Sequence, residues 1–448
     1  MEHETNKTRA KKIRIRGVTR TEASDEIGIG SPEGAGAEAP AGYGSKTDRQ
    51  ERIAGWKQSV LRDARVAVIG AGALGNELLK NLALSGVRYA FIADMDDIEM
   101  TNLSRTVLFS EEDLGRMKAE AAAEKFLGLN VCEGAKADRF VGDACTGIGS
   151  GVLNHVDVVV GCLDNEQTRY EMNRRASLVG KPYIDAGIAS LTANVTCVMS
   201  GEDAPCWACA YGAANADEVK KRLRAGCLNA KKKAAATGHA ATTQVTSAVA
   251  AGIQCQEVIK CLHAMKSGTM RFAPGRKYIF DGEYNSFNTL RLARNPECAD
   301  HERFEHIEET PIASDWTLER TLRYVNERCG EGYFLNVEND DRYCFAGYAD
   351  KAYCLHCGRE ITVGKPLNTV TEDDYYCEEC EHVQLDLDRS EPVLYFALCE
   401  EQAHLFGLTL RELGIPALHI LVFENEDPEK PDLHLEMTGD LKTIMPNL

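Results

Sequence analysis

The order of apolar and polar residues along the chain predicts alternating buried strands and helices from Thr47 onwards. Four short apolar runs have the length and composition of strands that are buried on both faces, at 66–69, 89–93, 156–160 and 182–184. Between the first two runs, leucines recur at helical spacing, at Leu74, Leu78, Leu79 and Leu82. Ser85-Gly86 ends that helix, because glycine readily takes the left-handed conformation that closes a helix. This alternation predicts an α/β fold built on a Rossmann-like, doubly wound sheet.

The same pattern divides the chain into three parts. Residues 1–48 combine a basic stretch with a segment rich in Gly, Ala and Pro, and they predict a disordered tail. The basic stretch could alternatively serve as a docking arm. Residues 49–310 carry the α/β pattern and include a long, largely apolar helix from Gln244 to Met265. Residues 311–448 have short strand-like runs and two CxxC pairs, and they predict a smaller, zinc-containing α+β domain.

Composition narrows the class of protein. The chain has 448 residues, of which 44% are hydrophobic and 27% charged, as is typical of a globular protein with two or three domains. A formal net charge of -18 argues against nucleic acid as a partner, because phosphate contacts need a basic surface. The sequence has no apolar run of bilayer length and no hydrophobic signal core, so we expect a cytoplasmic protein without a membrane partner. In that compartment the 17 cysteines are expected to be metal ligands, a catalytic thiol or buried thiols rather than disulfides.

A glycine-rich turn directly follows the first strand. Gly70, Gly72 and Gly75 open a helix, so the backbone can approach a phosphate that also meets the amides of the helix N-terminus. Asp94 lies 19 residues beyond Gly75, at the end of the next strand, where a carboxylate can bind ribose hydroxyls. These features alone predict a nucleotide site, and they suit an NAD-dependent oxidoreductase as well as an enzyme that uses ATP.

Charged residues beyond that strand favour ATP. Asn102, Arg105 and Lys118 follow Asp94, and cationic side chains near the phosphates suit phosphoryl charge better than hydride transfer. A later strand ends at Cys162-Leu163-Asp164-Asn165, where Asp164 can hold Mg²⁺ at the carboxyl edge of the sheet.

With these residues in this order, residues 49–300 resemble the ThiF/MoeB/HesA family, the adenylating domain of ubiquitin-activating enzymes. That family shows a GxGxxG turn, then D-x-D and (S/T)N-x-x-R, then a lysine and a C-x-D-N strand end. The resemblance implies that Asp94 binds the ribose of ATP and that Asp164 positions Mg²⁺. Phosphate contacts are implied for Asn102, Arg105 and Lys118. The implied cofactor-binding residues are Gly70, Gly72, Gly75, Asp94, Asp96, Asn102, Arg105, Lys118, Asp164 and Asn165.

The resemblance also implies a partner subunit and a reaction. The family has an arginine upstream of the first strand that reaches the ATP of the partner, and Arg52 is its match here, which implies a homodimer or a pair with a related subunit. The implied reaction is adenylation of the C-terminal carboxylate of a ubiquitin-like protein. Arg52 and Asp164 are the catalytic residues expected for that step.

One cysteine stands out as an acyl acceptor. Cys227 lies among lysines and arginines, which favour the nucleophilic thiolate. Its place between the first CxxC and Thr242-Thr243 resembles the crossover loop of compact activating enzymes, where the catalytic cysteine sits. An incidental loop thiol is the alternative. Four further cysteines fall in predicted strands or in the long helix and are expected to be core thiols: Cys162, Cys197, Cys255 and Cys261.

Two zinc sites are predicted. Cys206 and Cys209 form half of the first, and the resemblance places the other half after the long helix, at Cys298 and His301, with His306 as an alternative fourth ligand. The second site is a zinc ribbon over 354–380, whose four thiolates close a structural tetrahedron: Cys354, Cys357, Cys377 and Cys380.

The C-terminal part suggests where the activated group goes. An amphipathic helix from Leu318 to Cys329, the strand 419–423 and the segment 434–437 are similar to the ubiquitin-fold domain of eukaryotic activating enzymes, which recruits the conjugating enzyme. A zinc-stabilised β-rich appendage is the alternative. For the whole chain, adenylation of a sulfur-carrier protein is the second function, and an NAD-dependent oxidoreductase or a non-catalytic partner subunit are less favoured.

Overall fold

A large eight-stranded sheet forms the first half of the fold. The protein was studied as a computed structural model, which describes residues 45–199, 204–211, 242–296, 298, 300–337, 348–366, 369–383, 393–395 and 397–448. The strands of the large sheet are β1 Arg65–Ile69, β2 Tyr89–Asp94, β3 Lys136–Val141, β4 Val158–Gly161, β5 Tyr183–Ala189, β6 Thr192–Val198, β7 Arg276–Asp281 and β8 Ser286–Arg291. Their order across the sheet is β3-β2-β1-β4-β5-β6-β7-β8.

Strands β1 to β5 are parallel and carry the predicted doubly wound topology. The chain runs outward from β1 to β3 and then crosses back to place β4 on the other side of β1. This reversal leaves a crevice at the carboxyl ends of β1 and β4, which is where open α/β sheets bind ligands. Strands β6 to β8 extend the sheet in antiparallel fashion, because short turns rather than crossover helices join β5 to β6 and β7 to β8.

Helices cover both faces of this sheet. They are α1 Asp48–Glu51, α2 Gln58–Arg62, α3 Ala73–Ser85, α4 Lys118–Leu129, α5 Ala144–Gly147, α6 Ser150–Asn154, α7 Glu166–Leu178 and α8 Gln244–Ser267. Helix α3 ends at Gly86 with φ 83°, as predicted for a glycine at a helix end. Helix α8 packs beside α3 on one face, and α7 lies on the other, so each face has its own apolar core.

A second, five-stranded sheet follows. Its order is β16-β10-β17-β18-β9, and only the β18–β9 pair is parallel. The bounds are β9 Ile307–Thr310, α9 Leu318–Cys329, β10 Tyr333–Asn336, β11 Tyr348–Tyr353, β12 Glu360–Pro366, β13 Tyr376–Cys377, β14 His382–Val383, β15 Val393–Tyr395, β16 Ala397–Leu398, β17 Ile420–Asn425, β18 Leu433–Met437 and α10 Leu441–Ile444. Strands β11 to β15 form two small sheets of their own, so the second cysteine cluster is inserted between two strands of the five-stranded sheet.

Residues 45–448 form one compact unit, in which the five-stranded sheet contacts helix α6. The Ser150 amide donates to Nδ1 of His419 over 3.1 Å. The buried Glu436 carboxylate accepts from Nδ2 of Asn154 over 3.2 Å and lies 3.0 Å from Nε2 of His155. Across the described residues, no helix combines the length and the apolar character that crossing a bilayer would require. The predicted tail, up to residue 44, falls outside the described residues.

Candidate functional site

The glycine turn is packed directly against the end of β4. Gly70 has φ 99°, and a Cβ added there would lie 2.4 Å from the carbonyl oxygen of Cys162. A Cβ on Gly75 would lie 2.0 Å from the carbonyl oxygen of Gly70. Gly72, by contrast, has open space on its Cβ side. Two of the glycines are therefore required by packing within the protein, while the third has open space beside it that a ligand could occupy.

Asp94 joins the end of β2 to this turn. Its carboxylate accepts a hydrogen bond from the Ala71 amide over 2.6 Å and another from the Asp96 amide over 2.9 Å. Burial raises the pKa of the Asp94 carboxyl above its ordinary value, although the two amide donors act in the opposite direction. Two backbone amides thus fix this carboxylate beside the glycine turn, and its contact with ribose hydroxyls stays a prediction.

Lys118 lies beside the same strand end. It is the first residue of α4, and its Nζ donates to the exposed Asp96 carboxylate over 2.7 Å, while its own side chain is largely buried. Asn102 caps a short turn, because its Oδ1 accepts from the Glu99 amide over 3.0 Å. Arg105 donates to the carbonyl of Thr101 over 2.7 Å. The structure thus brings Lys118 and Asp96 into contact near Asp94, and it holds Asn102 and Arg105 in one ordered turn.

Asn76 was not predicted as a site residue, yet it links the two segments of the nucleotide site. Its side chain is fully buried, and its Nδ2 donates to the carbonyls of Ala71 and Gly72 over 2.6 and 3.1 Å. Its Oδ1 accepts from the Leu108 amide over 3.0 Å, so the turn that carries Arg105 is anchored to the glycine turn. The signal available in the sequence was an asparagine directly after Gly75, in the first turns of a helix whose leucines recur at helical spacing.

Asp164 and Asn165 follow the end of β4 at the crevice, and both are exposed. Asn165 is the N-cap of α7, since its Oδ1 accepts from the Thr168 amide over 2.8 Å. Its Nδ2 approaches the Asp164 carboxylate at 3.4 Å. Asp164 therefore presents a carboxylate beside a helix N-terminus, which suits an Mg²⁺–phosphate complex.

Behind this loop, a buried glutamine joins the end of β4 to the start of β5. Gln254 of α8 donates from Nε2 to the carbonyls of Gly161 and Ile184, over 2.8 and 3.0 Å. Its Oε1 accepts from the thiol of Cys162 at 3.5 Å. This residue was also not predicted, because a glutamine in a long helix has no local feature that marks its contact with two strands 93 and 70 residues away in sequence.

The first predicted metal cluster is assembled. Cys206 Sγ lies 3.7 Å from Cys209 Sγ and 3.6 Å from Cys298 Sγ, and Cys209 Sγ lies 3.1 Å from Nε2 of His301. Thiolates bound about 2.3 Å from one zinc ion would lie about 3.8 Å apart, so the sulfur spacing fits a shared zinc and is far too long for a disulfide. The ligand atoms of all four residues lie within 4.8 Å of one another. His301, rather than the alternative His306, is the nitrogen ligand that joins the three cysteines.

The second cluster has the same geometry. The sulfur of Cys354 lies 3.7 Å from that of Cys380, and the sulfur of Cys357 lies 3.7 Å from that of Cys377. Gly358 has φ 71° directly after the first pair, which gives the tight turn expected of a zinc knuckle. Both sets of residues could hold zinc, and four protein ligands leave no open position for catalysis.

The proposed acyl acceptor, Cys227, lies outside the described residues. The four cysteines expected to be core thiols are all buried, as predicted. Burial raises the pKa of both Cys255 and Cys261 to about 12 and raises the pKa of Cys162 and Cys197 as well, so these thiols are poor nucleophiles at neutral pH.

Arg52 lies at the end of α1, far out on the surface. Its side chain is 76% exposed, and its guanidinium donates to Asp48 over 2.8 Å. An exposed pair of this kind has little effect on stability, so the arginine is available to another molecule at small cost.

Comparison with known proteins agrees with this geometry. The model of the ThiF family matches residues 47–300. The sulfur carrier protein adenylyltransferase of Thermus thermophilus is 28% identical over 61% of this chain and 90% of its own length. The adenylyltransferase and sulfurtransferase MOCS3 of Drosophila willistoni is 28% identical over 52% of this chain and 47% of its own. The ubiquitin-like modifier-activating enzyme 5 of rice is 25% identical over 53% of this chain and 56% of its own. The chain thus spans about half the length of the last two relatives.

Proposed function

Because the chain belongs to the ThiF family, we propose that it binds ATP and adenylates the C-terminal carboxylate of a ubiquitin-like protein. Its relatives are named adenylyltransferases and modifier-activating enzymes, and the chain is an enzyme of this class. The observation that carries the proposal is the packing of the glycine turn against Cys162. That contact brings Asp94 and Lys118, from one half of the sheet, to the same crevice as Asp164, from the other.

In the first step, a carboxylate oxygen of the modifier attacks the α-phosphorus of ATP. The bond to the oxygen that bridges to the β-phosphate breaks, pyrophosphate leaves, and an acyl-adenylate remains. Gly72 admits the phosphates, Asp94 holds the ribose, and Lys118 and Arg105 stabilise the developing negative charge. Asp164 would hold Mg²⁺, which supplies further charge neutralisation when bound.

In the second step, the thiolate of Cys227 attacks the acyl carbon and AMP leaves, so that a thioester forms. A cysteine of a conjugating enzyme then attacks that thioester and restores the Cys227 thiolate. The C-terminal sheet and its inserted zinc cluster are the proposed docking part for the conjugating enzyme, in line with the predicted ubiquitin-fold domain. Zinc in either cluster would stabilise the fold rather than take part in these steps.

A second function deserves a direct test, because the sulfur carrier protein adenylyltransferase matches the chain over 90% of its own length. In this alternative, sulfide attacks the acyl carbon of the acyl-adenylate, AMP leaves, and a thiocarboxylate forms on a sulfur-carrier protein. Both functions share the adenylation step and differ in what happens to the activated carboxylate.

Purified protein with a ubiquitin-like partner should exchange labelled pyrophosphate into ATP and form an adduct that reducing thiols release. Cys227→Ala should abolish the adduct and leave the exchange intact, because the thiol acts only after adenylation. Cys132→Ala, which removes a partly exposed thiol elsewhere in the chain, is the matched control and should retain both activities.

Three outcomes separate the proposals. An adduct that survives in Cys227→Ala would show that another residue accepts the acyl group. Thiocarboxylate formation with a sulfide source, in the absence of any thioester, would favour the second function. Absence of exchange with both classes of carrier would refute adenylation itself.

We further propose that the protein works as a homodimer in which Arg52 of one copy reaches the ATP of the other. Arg52→Ala and Asp164→Ala should each lose pyrophosphate exchange, and mixing the two variants should restore part of it, because one site in each mixed dimer keeps both residues. No recovery on mixing, with mixed dimers demonstrated by tag capture, would refute this arrangement.

A further inference from the structure

The first zinc cluster is linked to the loop that carries Asp164 by a chain of buried hydrogen bonds. Trp207 stands between the two cysteines of the CxxC, and its side chain is 3% exposed. Its indole Nε1 donates to Oδ2 of Asp185 over 3.3 Å. The metal-binding turn therefore places an indole N–H against a carboxylate in β5.

Asp185 also contacts helix α7, through Arg169. It is 1% exposed, and the same Oδ2 accepts from a guanidinium nitrogen of Arg169 over 2.9 Å, while Oδ1 accepts from the hydroxyl of Tyr183 over 3.2 Å. Burial raises the pKa of the Asp185 carboxyl, and the charge of Arg169 opposes that shift. Because a buried carboxylate needs several donors, removal of one donor leaves the others to readjust around it.

Arg169 completes the link. The other guanidinium nitrogen donates to the carbonyl of Leu163, the residue directly before Asp164. A guanidinium has a rigid, planar fork, so fixing one arm on Asp185 also fixes the direction in which the other arm holds Leu163. The backbone position of Asp164 thus depends on Asp185, and Asp185 depends in turn on Trp207.

We propose that Trp207, Asp185 and Arg169 are positioning residues that transmit the geometry of the first metal cluster to the Asp164 loop. They set how well Asp164 holds Mg²⁺ with the nucleotide, and none of them touches the reacting atoms. This inference rests on the proposed ATP-binding function of the crevice. It gives the first cluster a role beyond holding the fold together, since loss of the knuckle geometry would weaken magnesium-dependent nucleotide binding at a distance.

A second tie from the same cluster to α7 provides a control. The hydroxyl of Tyr170 donates to Asp300, between the ligands Cys298 and His301, over 2.5 Å. Tyr170→Phe removes this hydrogen bond and leaves the indole–carboxylate–guanidinium chain intact. If the cluster only braces α7 in general, Tyr170→Phe and Trp207→Phe should have similar effects.

The test uses the full-length protein and isothermal titration calorimetry of ATP at a series of Mg²⁺ concentrations, with zinc content measured by mass spectrometry. Trp207→Phe should keep its zinc and its affinity for ATP in buffer without added Mg²⁺. It should need about three- to tenfold more Mg²⁺ for half-maximal tightening of ATP binding, which is the net contribution of one ordinary hydrogen bond. Tyr170→Phe should match the wild type in all three measurements.

Wild-type Mg²⁺ dependence in a zinc-loaded Trp207→Phe would overturn the proposal, as would an equal shift in Tyr170→Phe. Should Trp207→Phe fold poorly or lose zinc, Arg169→Lys decides the matter, because lysine can pair with Asp185 but lacks the second arm that holds Leu163. A shift in Arg169→Lys supports the proposal, and an unchanged Mg²⁺ dependence refutes it. Failure of the wild type to bind ATP at all would instead refute the proposed function.

Discussion

Two glycines of the turn, Gly75 and Gly72, should respond very differently to the same added methyl group. At Gly75 the new Cβ would lie 2.0 Å from the carbonyl oxygen of Gly70, well inside ordinary contact distance, and the neighbour is backbone rather than a movable side chain. At Gly72 the new Cβ would meet no heavy atom within 4 Å, and φ is −74°. The pair Gly75→Ala and Gly72→Ala therefore separates packing within the protein from space that belongs to a ligand.

The expected change in unfolding free energy for Gly75→Ala is the difference between two effects. Overpacking against backbone costs about 1–3 kcal/mol, and a clash this close places the cost near about 3 kcal/mol. Gly75 lies inside α3, where alanine is favoured over glycine by about 1 kcal/mol. The net loss is about 2 kcal/mol of unfolding free energy. For a unit of about 400 residues this corresponds to a fall of about 2 °C in Tm.

The assay is differential scanning calorimetry with and without ATP, together with calorimetric titration of ATP. Gly75→Ala should lower Tm and weaken ATP binding, since the shifted Gly70 carbonyl deforms the turn. Gly72→Ala should change stability by less than about 1 kcal/mol, the cost of a poorer helix N-cap, and still weaken ATP binding strongly. A rise in Tm for Gly75→Ala, or normal ATP affinity in Gly72→Ala, would refute the reasoning.

Two further predictions concern the ribose carboxylate and the second metal cluster. Asp94→Asn should weaken ATP binding by about tenfold, because the amide keeps one acceptor where the carboxylate offers two. Because burial raises the pKa of Asp94, ATP should bind the wild type with full affinity above that pKa and lose affinity as the pH falls through it. The loss should therefore occur at a higher pH than for an exposed aspartate. A pH series of titrations in which Asp94→Asn shows the same decline would contradict this assignment. The double variant Cys354→Ser, Cys377→Ser should lower the zinc content, measured by mass spectrometry, from two ions per chain to one. ATP binding should not change, because this cluster is inserted in the other sheet. Loss of both zinc ions would contradict separate sites.

Local patterns in the sequence were sufficient for much of the fold. The helix predicted over 318–329 is observed at Leu318–Cys329, and the strand predicted at 89–93 is observed at Tyr89–Asp94. Both depend on apolar periodicity and end signals that lie within a few residues. The metal clusters were predictable for a similar reason, because CxxC spacing reflects the geometry of one knuckle. Joining Cys206 and Cys209 to Cys298 and His301 required the family resemblance, since 92 residues separate the two halves.

The contacts that hold the site together could not be predicted in this way. Asn76, Gln254 and Asp185 are buried polar residues, and their partners lie between 2 and 93 residues away. A buried polar side chain must find hydrogen-bond partners, but the sequence does not tell which backbone groups the topology will place beside it. The antiparallel strands β7 and β8 were missed for a related reason: their half-buried and exposed residues do not form the continuous apolar runs that mark buried parallel strands.

Three side chains behind the loops of the site share one arrangement that bears on how the crevice works. Asn76 lies on α3, Gln254 on α8 and Arg169 on α7, and each uses its side chain to hold a backbone carbonyl at the carboxyl edge of the sheet. The loops at that edge are therefore positioned by helices that are themselves packed on the sheet, rather than by contacts within the loops. Exposed groups such as Asp164 can then be aimed at a ligand without being buried, because the geometry they need is set behind them. Substitutions at these three helix positions should accordingly alter ligand binding, because each one removes a side chain that holds a loop of the site.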